Sequence, residues 1–250
     1  MVLALTLAMA CLAVSTALAR PSLEMRQRAQ VISHCIVPGT AALTFDDGPY
    51  EYMYEITSML RAHNVSATFF FNGENYGCIY SPENARRVKH AYDQGHQIAS
   101  HTWSHADLTA LSLDKISNEM QRVDKAIEKI TGATPSFIRP PYGLYNEKVL
   151  RVAAARRQSI VLWDLDSGDS LNINISAQKS RYDQTLRRHP KTILALNHEV
   201  YPSTVHSVLP YAIKQLHSAG YRMVTVAECA GLSPYHSRSK PAHRDSSWHC

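Results

Sequence analysis

The sequence predicts an α/β fold, a distorted (β/α) barrel of about seven parallel strands, and three observations carry that prediction. Seven short apolar runs alternate with six helical patterns, as parallel strands joined by covering helices do. No glycine-rich dinucleotide loop follows the first run, which argues against a doubly wound nucleotide binder. The residues able to do chemistry gather at the C-terminal ends of the runs, the rim where a β/α barrel keeps its active site.

Taken in order, Met1 to Ala19 is apolar and closes on Ala17-Leu18-Ala19, a small-x-small cleavage pattern. It reads as a secretory signal peptide. Thr6, Ser15 and Thr16 interrupt it, and it is short for a bilayer span. Residues 20–34 form a charged leader, expected to be loosely attached. The domain proper is placed at 35–232. Its strands are expected at Ala41–Phe45, Ala67–Phe71, Gln97–Ser100, Ser136–Arg139, Ser159–Leu165, Thr192–Asn197 and Arg222–Val226. Its helices are expected at Tyr54–His63, Glu83–Gln94, Leu113–Thr131, Glu147–Arg156, Ser176–Arg188 and Val205–Ala219. Ser112 and Asn146 stand before the third and fourth helices as start signals, and Gly132 and Gly220 follow the third and last. Residues 233–250 are polar and His-rich and read as a flexible tail.

The formal net charge of +5 is mild, and no Lys/Arg block with interleaved aromatics occurs, so nucleic acid is not an expected partner. A monomer without a membrane span is expected. Four cysteines remain after the signal: Cys35, Cys78, Cys229 and Cys250. In a secreted chain they suggest two disulfides, with three possible pairings. Cys35 precedes the first strand and Cys229 follows the last, so their pairing would tie the chain ends and leave Cys78 for Cys250. Asn64-Val65-Ser66 and Asn174-Ile175-Ser176 are glycosylation sequons.

Asp46 and Asp47 end the first apolar run, before a Gly-Pro turn. Two adjacent carboxylates at a strand end need compensation by a cation, an Arg, or both. His101-Thr102-Trp103-Ser104-His105 sets two imidazoles four apart, able to share a cation if they lie on a helical turn. Alone, such a pair is more often two unrelated surface histidines. With an Asp from another strand end it makes a two-His, one-carboxylate site with open positions. Zn²⁺ suits those donors, with Co²⁺, Mn²⁺ or Fe²⁺ as alternatives. Arg139-Pro140-Pro141-Tyr142-Gly143 fixes a turn that aims an Arg and backbone N–H groups at the rim; read alone, it is a tight loop with a surface Arg. His198 ends the sixth strand with Leu196 on the same side, and can titrate near neutrality as an acid. Taken singly, a core His is the commoner explanation.

Together these segments resemble, in order, the five motifs of the NodB-homology polysaccharide deacetylases, carbohydrate esterase family 4, and look most like fungal chitin deacetylases. Thr44-Phe45-Asp46-Asp47-Gly48-Pro49 resembles the first motif and His101 to His105 the second. Arg139 to Gly143 resembles the third, Asp166-Ser167-Gly168-Asp169 the fourth, and Leu196-Asn197-His198 the fifth. The resemblance runs from about Ala41 to Val226. It departs in one place: the fourth motif usually continues with Trp, part of the groove wall, and here Ser170 stands there. Trp163, Leu165 or Trp103 are candidates to replace it.

The resemblance implies a NodB-like barrel that removes N-acetyl groups from N-acetylglucosamine units of chitin or chitooligosaccharides, outside the cell or at its wall. It assigns Asp47, His101 and His105 to the metal. It makes Asp46 the general base that takes a proton from the attacking water, with Arg139 beside it. His198 becomes the acid that protonates the departing amine, supported by Asp169. Tyr142, through its backbone N–H, together with Leu196, Trp103 and Asp166, is expected to meet the substrate. Two other functions share the scaffold. One is an O-acetyl esterase of xylan type, in which an alkoxide leaves with less need of an acid. The other is a catalytically silent wall-binding protein. A glycosidase using Asp46 and Asp47 is disfavoured: adjacent carboxylates on one strand point to opposite faces unless the strand ends between them, and a glycosidase pair must flank one bond.

Overall fold

The computed structural model describes residues 28–250. The signal segment, Cys11 and the first part of the leader lie outside the described residues. In chain order the strands are β1 (Val31–Ile32), β2 (Thr40–Asp46), β3 (Thr68–Phe71), β4 (Gln97–Ser100), β5 (Ala133–Pro135), β6 (Phe137–Ile138), β7 (Ser159–Val161), β8 (Leu165–Asp166), β9 (Thr192–His198), β10 (Arg222–Val224) and β11 (Tyr235–Arg238). The helices are α1 (Met53–Ala62), α2 (Pro82–Asp93), α3 (Leu113–Thr131), α4 (Glu147–Ala155), α5 (Ile175–Arg187), α6 (Leu209–Ser218) and α7 (Val226–Cys229).

Nine strands form one sheet in the order β1-β7-β6-β4-β3-β2-β9-β8, with β10 also paired to β2. Every pairing in it is parallel. The seven residues of β2 are all buried, which is why this strand reads as a continuous apolar run rather than an alternation. One edge of β2 carries β9 throughout, in register from Thr40↔Thr192 to Asp46↔His198. Its other edge is shared: β10 takes Thr40 to Ala42, and β3 takes Thr44 to Asp46. The strands curl with helices outside, so the sheet is a half-barrel.

The barrel stays open because the run Ser159–Leu165 is not one strand. β7 remains beside β6, whereas β8 crosses to β9. Asp164 makes the turn between them, its N–H donating to the Leu194 carbonyl at 3.0 Å and its Oδ1 accepting from the Leu194 N–H at 2.7 Å. Helices cover the outer face as their patterns require. In α3, Ile116, Met120, Val123, Ile127 and Ile130 are buried at helical spacing. Each such side chain contributes about 1.5–3 kcal/mol when fully buried. Ser112 caps the start of α3 by accepting from Lys115 N, and Gly132 closes it at φ +79°. The final helical pattern is split: a π-turn over Thr204–Val208 precedes α6, where Pro210 lacks the N–H that a continuous α-helix would use.

Two expectations about the chain ends are corrected. The leader is not loose throughout, since Val31 and Ile32 form an edge strand in register with Ile160 and Val161 of β7. Residues 233–250 are not a free tail either. β11 pairs antiparallel with β5, and the Tyr235 hydroxyl accepts from the Ile98 N–H at 2.9 Å. Beyond it, Lys129 donates to the Ser247 hydroxyl at 2.7 Å, and the Trp248 ring lies 5.5 Å from that of Tyr80. Aromatic packing and a covalent end outweigh the polar composition. The disulfides are Cys35–Cys229 and Cys78–Cys250.

Candidate active site

β2 ends between its two carboxylates. Asp46 is its last residue, and Asp47 turns off it in the left-handed region at φ +74°. The two side chains therefore face different partners. Arg139, wholly buried at the end of β6, donates through Nη1 to Asp46 Oδ1 at 2.7 Å and to Thr44 Oγ1 at 2.7 Å. Its Nε and Nη2 donate to the carbonyls of Val161 and Leu162 at 3.3 and 2.9 Å. The guanidinium thus spans the gap where β7 leaves for β8, with the Phe70 ring beneath it at 4.2 Å. Burial lowers the pKa of Arg139 against the attraction of Asp46.

His101 and His105 do not lie on a helical turn. They sit in the loop after β4, and left-handed backbone at Thr102 (φ +72°) and His105 (φ +56°) brings the rings to 5.0 Å. His101 Nδ1 lies 2.7 Å from the Arg139 carbonyl. Donation there leaves Nε2 with its lone pair pointing at the carboxylates. Asp47 Oδ1 is 3.6 Å from His101 Nε2 and 3.3 Å from His105 Nε2. A tetrahedral ion with bonds of about 2.0–2.1 Å separates its ligands by about 3.3 Å. The three donors thus match a shared cation better than they match direct hydrogen bonds, and all lie within 4.8 Å of one another. Burial pushes both imidazoles below their ordinary range, which favours the neutral, ligating form. Burial also raises the Asp47 carboxyl, against the pull of His101 and His198.

On the other side, β9 delivers His198 opposite Asp46. Asp169 accepts from the His198 backbone N–H at 2.7 Å, faces its Nδ1 at 2.8 Å, and accepts from the Thr204 hydroxyl at 2.7 Å. Burial alone would lower the His198 pKa, but the bond and charge of Asp169 outweigh it and push it up to about 9. Burial would raise Asp169, and the bonds from His198 and Thr204 instead hold it below the usual carboxylate range.

These groups open on a cleft of about 530 Å³, lined by Asp46, Asp47, His101, His105 and His198 and, among others, by Tyr142, Asp166 and Leu196. Tyr142 is left-handed at φ +60°, its exposed ring set edge-on to His105 at 4.9 Å. Trp103 is not in the cleft. It is buried, with the Arg122 guanidinium 3.9 Å above its ring and the Gly73 backbone packed against it. Trp163 lines the cleft instead. Arg139 and Asp169 stand behind the lining rather than on it. Asn64 and Asn174 are exposed and are not part of the cleft lining.

Several contributors were not visible as motifs. Asn75 donates to Asp47 Oδ1 at 3.3 Å, and Asn72 donates to the His101 and Thr102 carbonyls at 2.6 and 3.1 Å. Asn72 directly follows a strand, so the rim rule could have found it. Glu199 is wholly buried, its Oε1 accepting from Tyr50 N at 2.6 Å. Burial raises its pKa well above the ordinary value. It presses so closely on Gly48 that a Cβ there would meet its carboxyl at 1.9 Å, so the turn after Asp47 requires glycine.

A profile of the family described as polysaccharide deacetylase matches residues 36–158. A chitin deacetylase of Colletotrichum lindemuthianum is 34% identical over 209 residues, covering 81% of this chain and 84% of its own length. The chain belongs to the polysaccharide deacetylase family. A second relative, a chitin deacetylase of a Pestalotiopsis species, is 36% identical over 80% of this chain and 67% of its own length. Among solved structures of this family, the Colletotrichum lindemuthianum chitin deacetylase superposes with a TM-score of 0.79 at 29% identity, covering 88% of this chain and 99% of that one. The half-barrel is therefore the NodB-like barrel of polysaccharide deacetylases, and both disulfides and the Asp-His-His donor set are built on it.

Proposed function

We propose that this protein is a secreted, zinc-dependent deacetylase of N-acetylglucosamine units in chitin or chitooligosaccharides. One observation carries the reading: an Asp-His-His donor set lies between a carboxylate held by Arg139 and an imidazole held by Asp169, in one cleft. The chitin deacetylases among its relatives support the substrate class. The disulfides fit an oxidising compartment, and no helix among the described residues is long and apolar enough to cross a membrane.

Asp47, His101 and His105 would hold the ion, which would supply Lewis-acid polarisation of the acetamide carbonyl and of the attacking water. Asp46 takes the proton from the attacking water, with Arg139 fixing its Oδ1. The Tyr142 N–H has no protein acceptor among the described residues and stabilises the oxyanion as negative charge develops. His198 gives its proton to the departing amine, and Asp169 keeps it charged and oriented for that step. Leu196 lines the space for the acetyl methyl group. An amine is a poorer leaving group than an alkoxide, so a built imidazolium favours the amide over the ester reaction.

The test is mass spectrometry of products from defined chitooligosaccharides, with zinc-loaded protein and acetylated xylan as comparison. Loss of acetyl from the amino sugars alone supports the reading. Acetate from xylan alone, or from neither, overturns it.

A further inference from the structure

Glu199 follows His198 in the chain, yet it is not part of the cleft lining. Its side chain is wholly buried and packs against the turn after Asp47. We propose that Glu199 is a positioning residue: through the backbone of Gly48 and Tyr50 it fixes the aim of Asp47 at the metal and the placement of that donor relative to His198. This rests on the metal-dependent deacetylase reading above.

Asp47 is a non-glycine residue at φ +74°. Such backbone is unfavourable and persists only where the residues around it are held. On one side, Asp46 is locked in β2 between β3 and β9. On the other, Gly48 lies outside any strand. Its carbonyl accepts from Asn72 N at 2.8 Å. Its α-carbon lies against Glu199, where a Cβ would meet Oε1 at 1.9 Å. Two residues on, Tyr50 N donates to that same Oε1 at 2.6 Å. The Glu199 N–H in turn donates to the Asp46 carbonyl at 3.4 Å. Asn72 also donates to the His101 and Thr102 carbonyls at 2.6 and 3.1 Å. Glu199 and Asn72 together therefore hold Asp47 in register with His101, and the β9 backbone carries that register to His198.

The contact is an expensive one. Glu199 Oε2 is buried with no hydrogen-bond partner, so the Tyr50 N–H is the one polar contact of this carboxyl among the described residues. Leucine or methionine would occupy a similar volume without burying an unpartnered oxygen. What an apolar side chain cannot supply there is the acceptor for Tyr50 N.

The experiment compares Glu199→Leu, Glu199→Met and Glu199→Gln with wild type. Zinc affinity is measured by competition with a chelator, melting temperature on the metal-free protein, and acetate release on N-acetylchitotetraose. The Gln variant keeps an oxygen for Tyr50 N and is expected to match wild type in zinc affinity and turnover. The Leu and Met variants lose one hydrogen bond but also one buried unpartnered oxygen, so their melting temperatures are expected to change little. Their zinc affinity is expected to fall about 10–100-fold, as when a group that orients a ligand is removed. Turnover falls with it, and KM changes little. Wild-type zinc affinity in the folded Leu and Met variants would overturn the proposal. So would a Gln variant as weak as they are, because the acceptor would then not be what counts. Failure of both apolar variants to fold beside a sound Gln variant would confine Glu199 to stability and overturn it too. The expected zinc ranking without acetate release by wild type supports the proposal and overturns the substrate reading alone.

Discussion

Asp46 is held through Oδ1 by the guanidinium of Arg139 at 2.7 Å, with the guanidinium fully buried and the carboxylate at the cleft wall. The same Arg139 supplies the carbonyl that orients His101. Replacing it by Met leaves the Asp46 carboxylate buried and unpaired, and costs about 3–5 kcal/mol of stability. Lys keeps the charge but cannot reach Thr44, Asp46, Val161 and Leu162 together, so Arg139→Lys is expected to lose activity as well. Denaturant midpoints and turnover of both variants check this. Wild-type stability in the Met variant would contradict it.

Asp46 and the metal donors are expected to separate in their effects. Asp46→Asn retains stoichiometric zinc and loses about 10²–10⁴ in turnover. His101→Ala loses the zinc itself. Elemental analysis beside rate measurement distinguishes them, and tight zinc in His101→Ala would dismiss the donor set.

His198 and Asp169 set a pH window. The folded pKa of His198, about 9, lies above its ordinary 6.5. Its contribution to stability is complete below 6.5 and is lost as pH rises through about 9. The depressed Asp169 contributes above its ordinary 3.8 and loses that contribution as pH falls below. Asp169→Asn should therefore destabilise the metal-free protein most between those limits, and progressively less towards pH 9. In the loaded enzyme, the alkaline limb of the rate profile should move towards 6.5. A limb that stays put in Asp169→Asn would remove His198 from the acid role.

The C-terminal strap should matter to the site. Cys250 bonds Cys78, in the loop that carries Asn75 against Asp47 and Tyr76 into the cleft. Replacing both cysteines by Ala is expected to cost about 2–5 kcal/mol and to raise KM more than it lowers kcat. Thermal melts and steady-state kinetics read the two effects. A lowered melting temperature with unchanged KM would confine the strap to stability.

Much of the site was legible because its groups obey one positional rule. Asp46, His101, Arg139 and His198 each stand at or just past a strand end, so the apolar runs alone mark their places. The resemblance in motif order then proposes roles that adjacency alone could not divide between Asp46 and Asp47. What was not legible depended on tertiary contact. Trp103 sits between two metal-ligand candidates, yet packing against Gly73 and Arg122 turns it away from substrate. Residues 235–250 read as solvated because pairing with β5 and stacking on Tyr80 have no local signature. The break between β7 and β8 hinged on Asp164 bonding Leu194, thirty positions away.

Asp47, Thr102, His105 and Tyr142 all hold left-handed backbone without being glycine, and a β-branched residue such as Thr102 resists it most. Each carries about 1–3 kcal/mol of local unfavourable energy that the surrounding barrel must outweigh. Laboratory selection for heat resistance alone should therefore drift toward glycine at Thr102 and Tyr142. The tougher descendants would have surrendered the aim of their donors, so durability and catalysis would have to be selected together.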